Sequence, residues 1–79
     1  MAEEKRKVME DVPLAYSVGW LVMDEFEDVG MIIDRDSQWK SPGIQTPEDG
    51  GYLILNQYGT TVWLDRGYVE EICQVISRT

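Results

Sequence analysis

Histidine is absent from this sequence, and cysteine occurs once, at Cys73. The lack of histidine excludes imidazole acid–base catalysis and the zinc sites that combine Cys with His ligands. A single cysteine also excludes an intrachain disulfide. We expect Cys73 to pack as a small apolar residue, because the neighbouring Glu70 and Glu71 disfavour a reactive thiolate.

Basic residues are scarce. The chain has 7 Lys and Arg against 15 Asp and Glu, so its formal net charge is −8. This charge repels nucleic acid, and no stripe of basic residues offsets it. We therefore expect no direct nucleic-acid binding, and a protein partner with a basic surface instead.

Long apolar runs are missing as well. No stretch approaches the roughly 18 apolar residues that a membrane span needs. Residues 1–11 are rich in Glu and Lys and lack the apolar core of a signal peptide. The sequence therefore predicts a cytoplasmic protein without membrane association.

The 79 residues, 43% of them apolar, suffice for one small globular domain. Residues 1–12 have the composition of a charged N-terminal arm, which is too short to form a stable helix alone. We assign the domain itself to residues 13–79. Three Trp and four Tyr supply much of its expected core.

Strand composition dominates the domain. Aromatic and β-branched residues are concentrated in four segments, Tyr16–Met23, Val29–Asp34, Tyr52–Gln57 and Thr60–Leu64. Tyr58-Gly59 predicts a hairpin turn, and Gly30 indicates a bulge or a close backbone approach. Residues 68–76 suit either a helix or a tight turn followed by a short strand. Such short strands avoid bare edges by curling into a small all-β barrel of four to five strands.

The stretch from residue 35 to residue 51 is irregular, since it contains two prolines and three glycines. Within it, Ile44–Thr46 is a candidate for a short extended piece.

Two stretches carry a resemblance, SVGWLVMDEFEDVGMIIDRD and GGYLILNQYGTTVWLDRGYVEEI. Their order resembles that of small SH3-like barrel proteins, in which four strands, one 3₁₀ turn and a short closing strand follow each other. Many such proteins are encoded by tailed bacteriophages and have no assigned function. The match spans residues 18–72 and implies the barrel fold, with a phage accessory role in the host cytoplasm.

Parts of the chain also resemble peptide-binding SH3 domains. Leu14-Ala15-Tyr16 is similar to the start of their ALYDY strand, and residues 24–28 occupy the place of their acidic RT loop. Gly67-Tyr68-Val69 resembles their closing N-Y-V segment. This chain departs from them because Trp39 stands alone and the proline before the closing Tyr is absent, which argues against recognition of PxxP peptides.

Acidic residues are concentrated between residues 8 and 34, where no Lys or Arg occurs. The seven carboxylates there belong to Glu10, Asp11, Asp24, Glu25, Glu27, Asp28 and Asp34. The cluster Asp24, Glu25, Glu27 and Asp28 is a candidate for docking on a positively charged partner. The other interpretation is a solvated loop that keeps the protein soluble.

The aromatic residues divide into two groups. Trp20 and Trp63 lie in predicted strands, so we expect them to be buried or half-buried. Trp39, Tyr58 and Tyr68 lie in loops or at strand ends and could anchor a protein partner beside the acidic cluster. The alternative for Trp39 is that it folds back as a lid on one end of the barrel.

Catalytic and metal-binding signatures are lacking. The serines have no His to activate them, and Gly50-Gly51 is not part of a phosphate-binding loop. Asp34-Arg35-Asp36 begins like a calcium loop, but Trp39 stands where that loop requires Gly. We therefore predict no enzyme activity, no cofactor and no specific metal site.

Two functional hypotheses remain. The first is a non-enzymatic acidic module that binds a basic surface of a host or viral protein. The alternative is a structural virion component, or a homo-oligomer that assembles through a strand edge of the hairpin.

Overall fold

The computed structural model describes residues 13–40, 42 and 49–78. They form a mostly β structure, which confirms the predicted class at that level. Its elements are β1 (Leu21–Met23), β2 (Val29–Asp36), β3 (Gly51–Asn56), β4 (Thr61–Asp65), α1 (Arg66–Glu71) and β5 (Gln74–Ser77). The predicted arm at residues 1–12 and the extended piece at Ile44–Thr46 lie outside the described residues.

The five strands form one antiparallel sheet in the order β4-β3-β2-β1-β5. β4 and β5 are its two edges, so the described sheet is open. Leu21 of β1 lies opposite Met31 of β2, and Met31 lies opposite Leu55 of β3. The register of β2 and β3 shifts between Ile32 and Asp34, because Ile33 has no partner on β3 and forms the bulge in this pair.

The first predicted strand is too long, because β1 begins only at Leu21. Gly19 has a φ of 99°, a left-handed conformation that interrupts an extended strand. The segment still contacts β2, since Gly19 N donates to Ile32 O at 2.7 Å. The second predicted strand begins at Val29 as expected, but β2 continues two residues beyond the predicted end, to Asp36.

The ambiguous segment 68–76 contains both predicted elements, the end of a helix and a short strand. Asp65 explains why the helix begins where it does, because its side chain accepts a hydrogen bond from Gly67 N at 2.8 Å. Ile72 N and Cys73 N both donate to Tyr68 O at the other end of α1. The chain then leaves the helix and enters β5.

The core lies between the inner face of the sheet and α1. Its buried residues are Val22, Ile32, Tyr52, Ile54, Val69 and Cys73. Cys73 is therefore packed as the sequence predicts. Gly30 is a close backbone approach, because a Cβ at this position would overlap Cγ2 of Ile54.

A polar network ties the start of the domain to α1. The buried Arg66 contacts Glu70 at 3.2 Å and donates to Pro13 O at 2.9 Å. Glu70 accepts from the Tyr52 hydroxyl at 2.6 Å and from Ala15 N at 3.1 Å. These bonds compensate the buried charge of Arg66, which would strongly destabilise the folded protein if it had no partner.

Among the described residues, no helix has the length and apolar character that crossing a bilayer requires.

Candidate functional site

The acidic cluster forms the turn between β1 and β2, which we call the acidic turn (residues 24–28). Asp24 organises it, because its Oδ1 accepts from the backbone N of Phe26 and of Asp28, both at 2.9 Å. Asp24 N also donates to Asp28 O at 2.9 Å. Glu27 has a φ of 68°, which completes the tight reversal. The turn is therefore an ordered platform for its carboxylates.

Phe26 lies at the tip of the acidic turn and is 74% exposed. Glu25 and Glu27 on either side of it are exposed as well. An aromatic side chain in solvent between carboxylates is a candidate anchor for a partner. Sequence analysis did not select Phe26, although an apolar aromatic inside an acidic run was the available signal.

The turn between β3 and β4 lies against the acidic turn. The Tyr58 hydroxyl donates to Asp28 Oδ1 at 3.2 Å, while the Tyr58 side chain is 71% exposed. Gln57 joins the same contact, since its Nε2 donates to Asp28 Oδ1 at 3.3 Å and its Oε1 accepts from Val29 N at 3.1 Å. Tyr58 thus lies beside the acidic turn, as the partner-anchor hypothesis requires, and Gln57 is a member that sequence analysis missed.

Tyr68 reaches the acidic turn from α1. Desolvation by its surroundings, together with a hydrogen bond to Glu25, raises the pKa of the Tyr68 hydroxyl to about 12. The Tyr68 hydroxyl thus keeps its proton and donates a hydrogen bond to the Glu25 carboxylate. This contact brings a second predicted aromatic residue to the acidic turn.

An apolar groove of about 300 Å³ opens beside these aromatics on the inner face of the sheet. Val22 and Ile54 are buried members of its lining, and Val62 and Leu64 of β4 contribute further apolar surface. Its polar lining includes Asp24, Asp28, Tyr58 and Tyr68. The site therefore combines an apolar surface with negative charge.

Trp39 lies on the opposite face of the sheet. Its ring stacks on Trp63, with centroids 5.9 Å apart and an interplanar angle of 16°. Trp39 also packs on Gly51, where a Cβ would overlap its ring. Because side chains alternate along β4, Trp63 faces away from the groove that Val62 and Leu64 line. Trp39 thus folds back on the sheet and does not join the other six predicted residues.

The basic side chains of the described residues are engaged away from the acidic turn. Their partners are as follows: Arg35 donates to Tyr16 O, Lys40 pairs with Asp49, Arg66 pairs with Glu70, and Arg78 lies over Trp20. No ion pair between described residues includes a carboxylate of the acidic turn. The turn thus presents its negative charge without a counterion from the part of the chain that the structure describes.

Within the described part of the chain, no three Asp, Glu or Cys side chains converge in a way that could hold a metal ion.

In comparisons with known proteins, no family model, no curated protein and no solved structure matches this chain. Its function must therefore be inferred from the chemistry of the site itself.

Proposed function

We propose that this protein is a non-enzymatic binding module whose acidic turn docks on a basic surface of a partner protein. The observation that carries the proposal is the absence of a counterion for the turn among the described residues. A partner that supplies Lys or Arg side chains gains attraction without first breaking an ion pair between described residues.

The parts of the site contribute differently to binding. Exposed carboxylates mainly accelerate association and select against acidic partners, and salt screens their effect. Large aromatic side chains supply more of the affinity once a partner excludes water. The rings of Phe26 and Tyr58 are exposed at the acidic turn, where a partner would contact them. We therefore assign the attraction to the carboxylates and the anchoring to these two rings.

We also propose that the fold is a small SH3-like barrel. The order of elements supports this, because four strands and a closing strand follow each other as the resemblance implies, with the short helix α1 at the place of its 3₁₀ turn. The proposed role as a phage accessory protein in the host cytoplasm rests on the same resemblance.

A defined cationic probe tests the docking proposal. We expect an oligolysine peptide to bind at low salt. The changes in NMR chemical shift on binding should be concentrated at residues 24–28 and 58. Glu27→Gln removes one exposed charge from the acidic turn and should weaken binding. Glu71→Gln removes a charge from α1 that is also exposed and serves as the matched control. Equal effects of the two variants, or shifts spread evenly over the surface, would reject the proposal.

The alternative is a structural component or homo-oligomer that assembles through a strand edge. The observation in its favour is that β4 is an edge of the sheet and that Val62 on it is 44% exposed. Sedimentation over a range of concentrations distinguishes the two functions, because only the alternative requires self-association.

A further inference from the structure

The outer edge of β4 presents backbone groups that β3 does not use. Asn56 N donates to Thr60 O and Arg66 N donates to Gly50 O, both at 2.9 Å. Hydrogen-bonded pairs alternate along an antiparallel ladder, so the bonded pairs between these ends are Ile54–Val62 and Tyr52–Leu64. The N–H and C=O groups of Thr61 and Trp63 therefore point away from β3.

The same strand borders the groove. Val62 and Leu64 line it, and Asp28 and Tyr58 lie at its polar side. A segment added along β4 would place every second side chain on the groove face of the sheet, beside Val62 and Leu64. Apolar side chains suit those positions. A basic residue suits the end of the segment that extends past the turn between β3 and β4, because the acidic turn lies against that turn.

We propose that the partner binds as an extended segment of alternating basic and apolar residues, which adds to β4 as a further strand. Its apolar side chains enter the groove, and its basic side chains within the strand project from the opposite face. A basic residue beyond the strand end, past the turn between β3 and β4, faces the carboxylates of the acidic turn. A second copy of this chain is a poorer occupant, because each copy carries a net charge of −8. This inference rests on the proposed function and states how the partner is held.

Three synthetic peptides test the inference. The parent peptide alternates Lys and Val, so a shift of one residue would place Lys in the apolar groove and is disfavoured. The second peptide carries N-methyl groups on its Lys residues only, and the third carries them on its Val residues only. Each modified peptide loses the amide hydrogens along one edge and keeps those along the other.

We expect the parent peptide to bind and one of the two modified peptides to lose about tenfold or more in affinity, while the other binds nearly as the parent does. Loss by the Lys-methylated peptide indicates antiparallel addition, and loss by the Val-methylated peptide indicates parallel addition. Isothermal titration calorimetry at low salt gives the three dissociation constants.

Three other outcomes overturn the inference. If both modified peptides bind like the parent, or both weaken equally, the partner does not add as a strand, although acidic docking stands. If no cationic peptide binds to the monomeric protein, the proposed function fails too. If the protein sediments as a dimer and the peptides do not compete, a second copy occupies the edge.

Discussion

At the scale of single residues, Gly30 shows how closely β2 and β3 pack at the groove. Its position leaves no room for a Cβ, because Cγ2 of the buried Ile54 and the carbonyl oxygen of Leu55 lie against it. Ile54 is confined on its other sides by the core and cannot move away freely.

We expect Gly30→Ala to lower the free energy of unfolding by about 1–3 kcal/mol, the usual range for overpacking a core. Chemical denaturation of both proteins measures the difference. In an Ile54→Ala background, the same substitution should destabilise much less, because the overlapping methyl group is gone. An equal loss in both backgrounds would show that strain from this contact is not the cause.

At the scale of elements, α1 depends on its N-cap. The helix has six residues, too few to be stable without tertiary contacts. Asp65 caps it through Gly67 N, and Val69 anchors it in the core. Its remaining contacts position Tyr68 at the groove and Glu70 in the buried network with Arg66. The cap therefore affects both stability and the site.

We expect Asp65→Ala to destabilise the protein by about 1 kcal/mol, as removal of an N-cap side chain usually does. Thermal unfolding followed by circular dichroism measures this. Asp65→Asn retains a side-chain oxygen that can accept from Gly67 N, so it should recover most of the loss. If both variants lose the same stability, the capping bond contributes little.

At the scale of the whole molecule, several weak acids share one direction of pKa shift. Desolvation raises the pKa of the Cys73 thiol from 9.0 to about 11 and that of Tyr68 from 10.0 to about 12. The pKa of Tyr52 is raised further by desolvation and by its hydrogen bond to Glu70. The folded state thus favours the protonated form of each group.

The contribution of these groups to stability should therefore be fully present below pH 9.0, the ordinary pKa of a thiol, and should be lost as the pH rises toward about 11 and 12. In that range the unfolded chain releases protons that the folded protein still holds. Melting temperatures measured across this range test the prediction. Tyr68→Phe should lessen the decline, and an unchanged pH profile in that variant would show that Tyr68 does not contribute.

The sequence alone predicted the strands well where their signal is local. Segments rich in β-branched, aromatic and other apolar residues located β2, β3 and β4 within two residues at each end, and Gly30 correctly indicated a close approach. The first strand was overextended, because YSVGW has strand composition while the positive φ of Gly19 depends on contacts with Ile32. Residues 68–76 stayed ambiguous since the change from α1 to β5 depends on what each part packs against.

For the candidate site, the sequence by itself determined the net charge, the absence of histidine and the acidic run between β1 and β2, because these are properties of composition and order. Only the tertiary structure decided that Tyr58 and Tyr68 meet this run while Trp39 lies across the sheet on Trp63. It also decided that a groove opens beside β4 and that β4 is an edge. These features depend on strand register and on contacts between residues far apart in the chain, which local patterns do not encode.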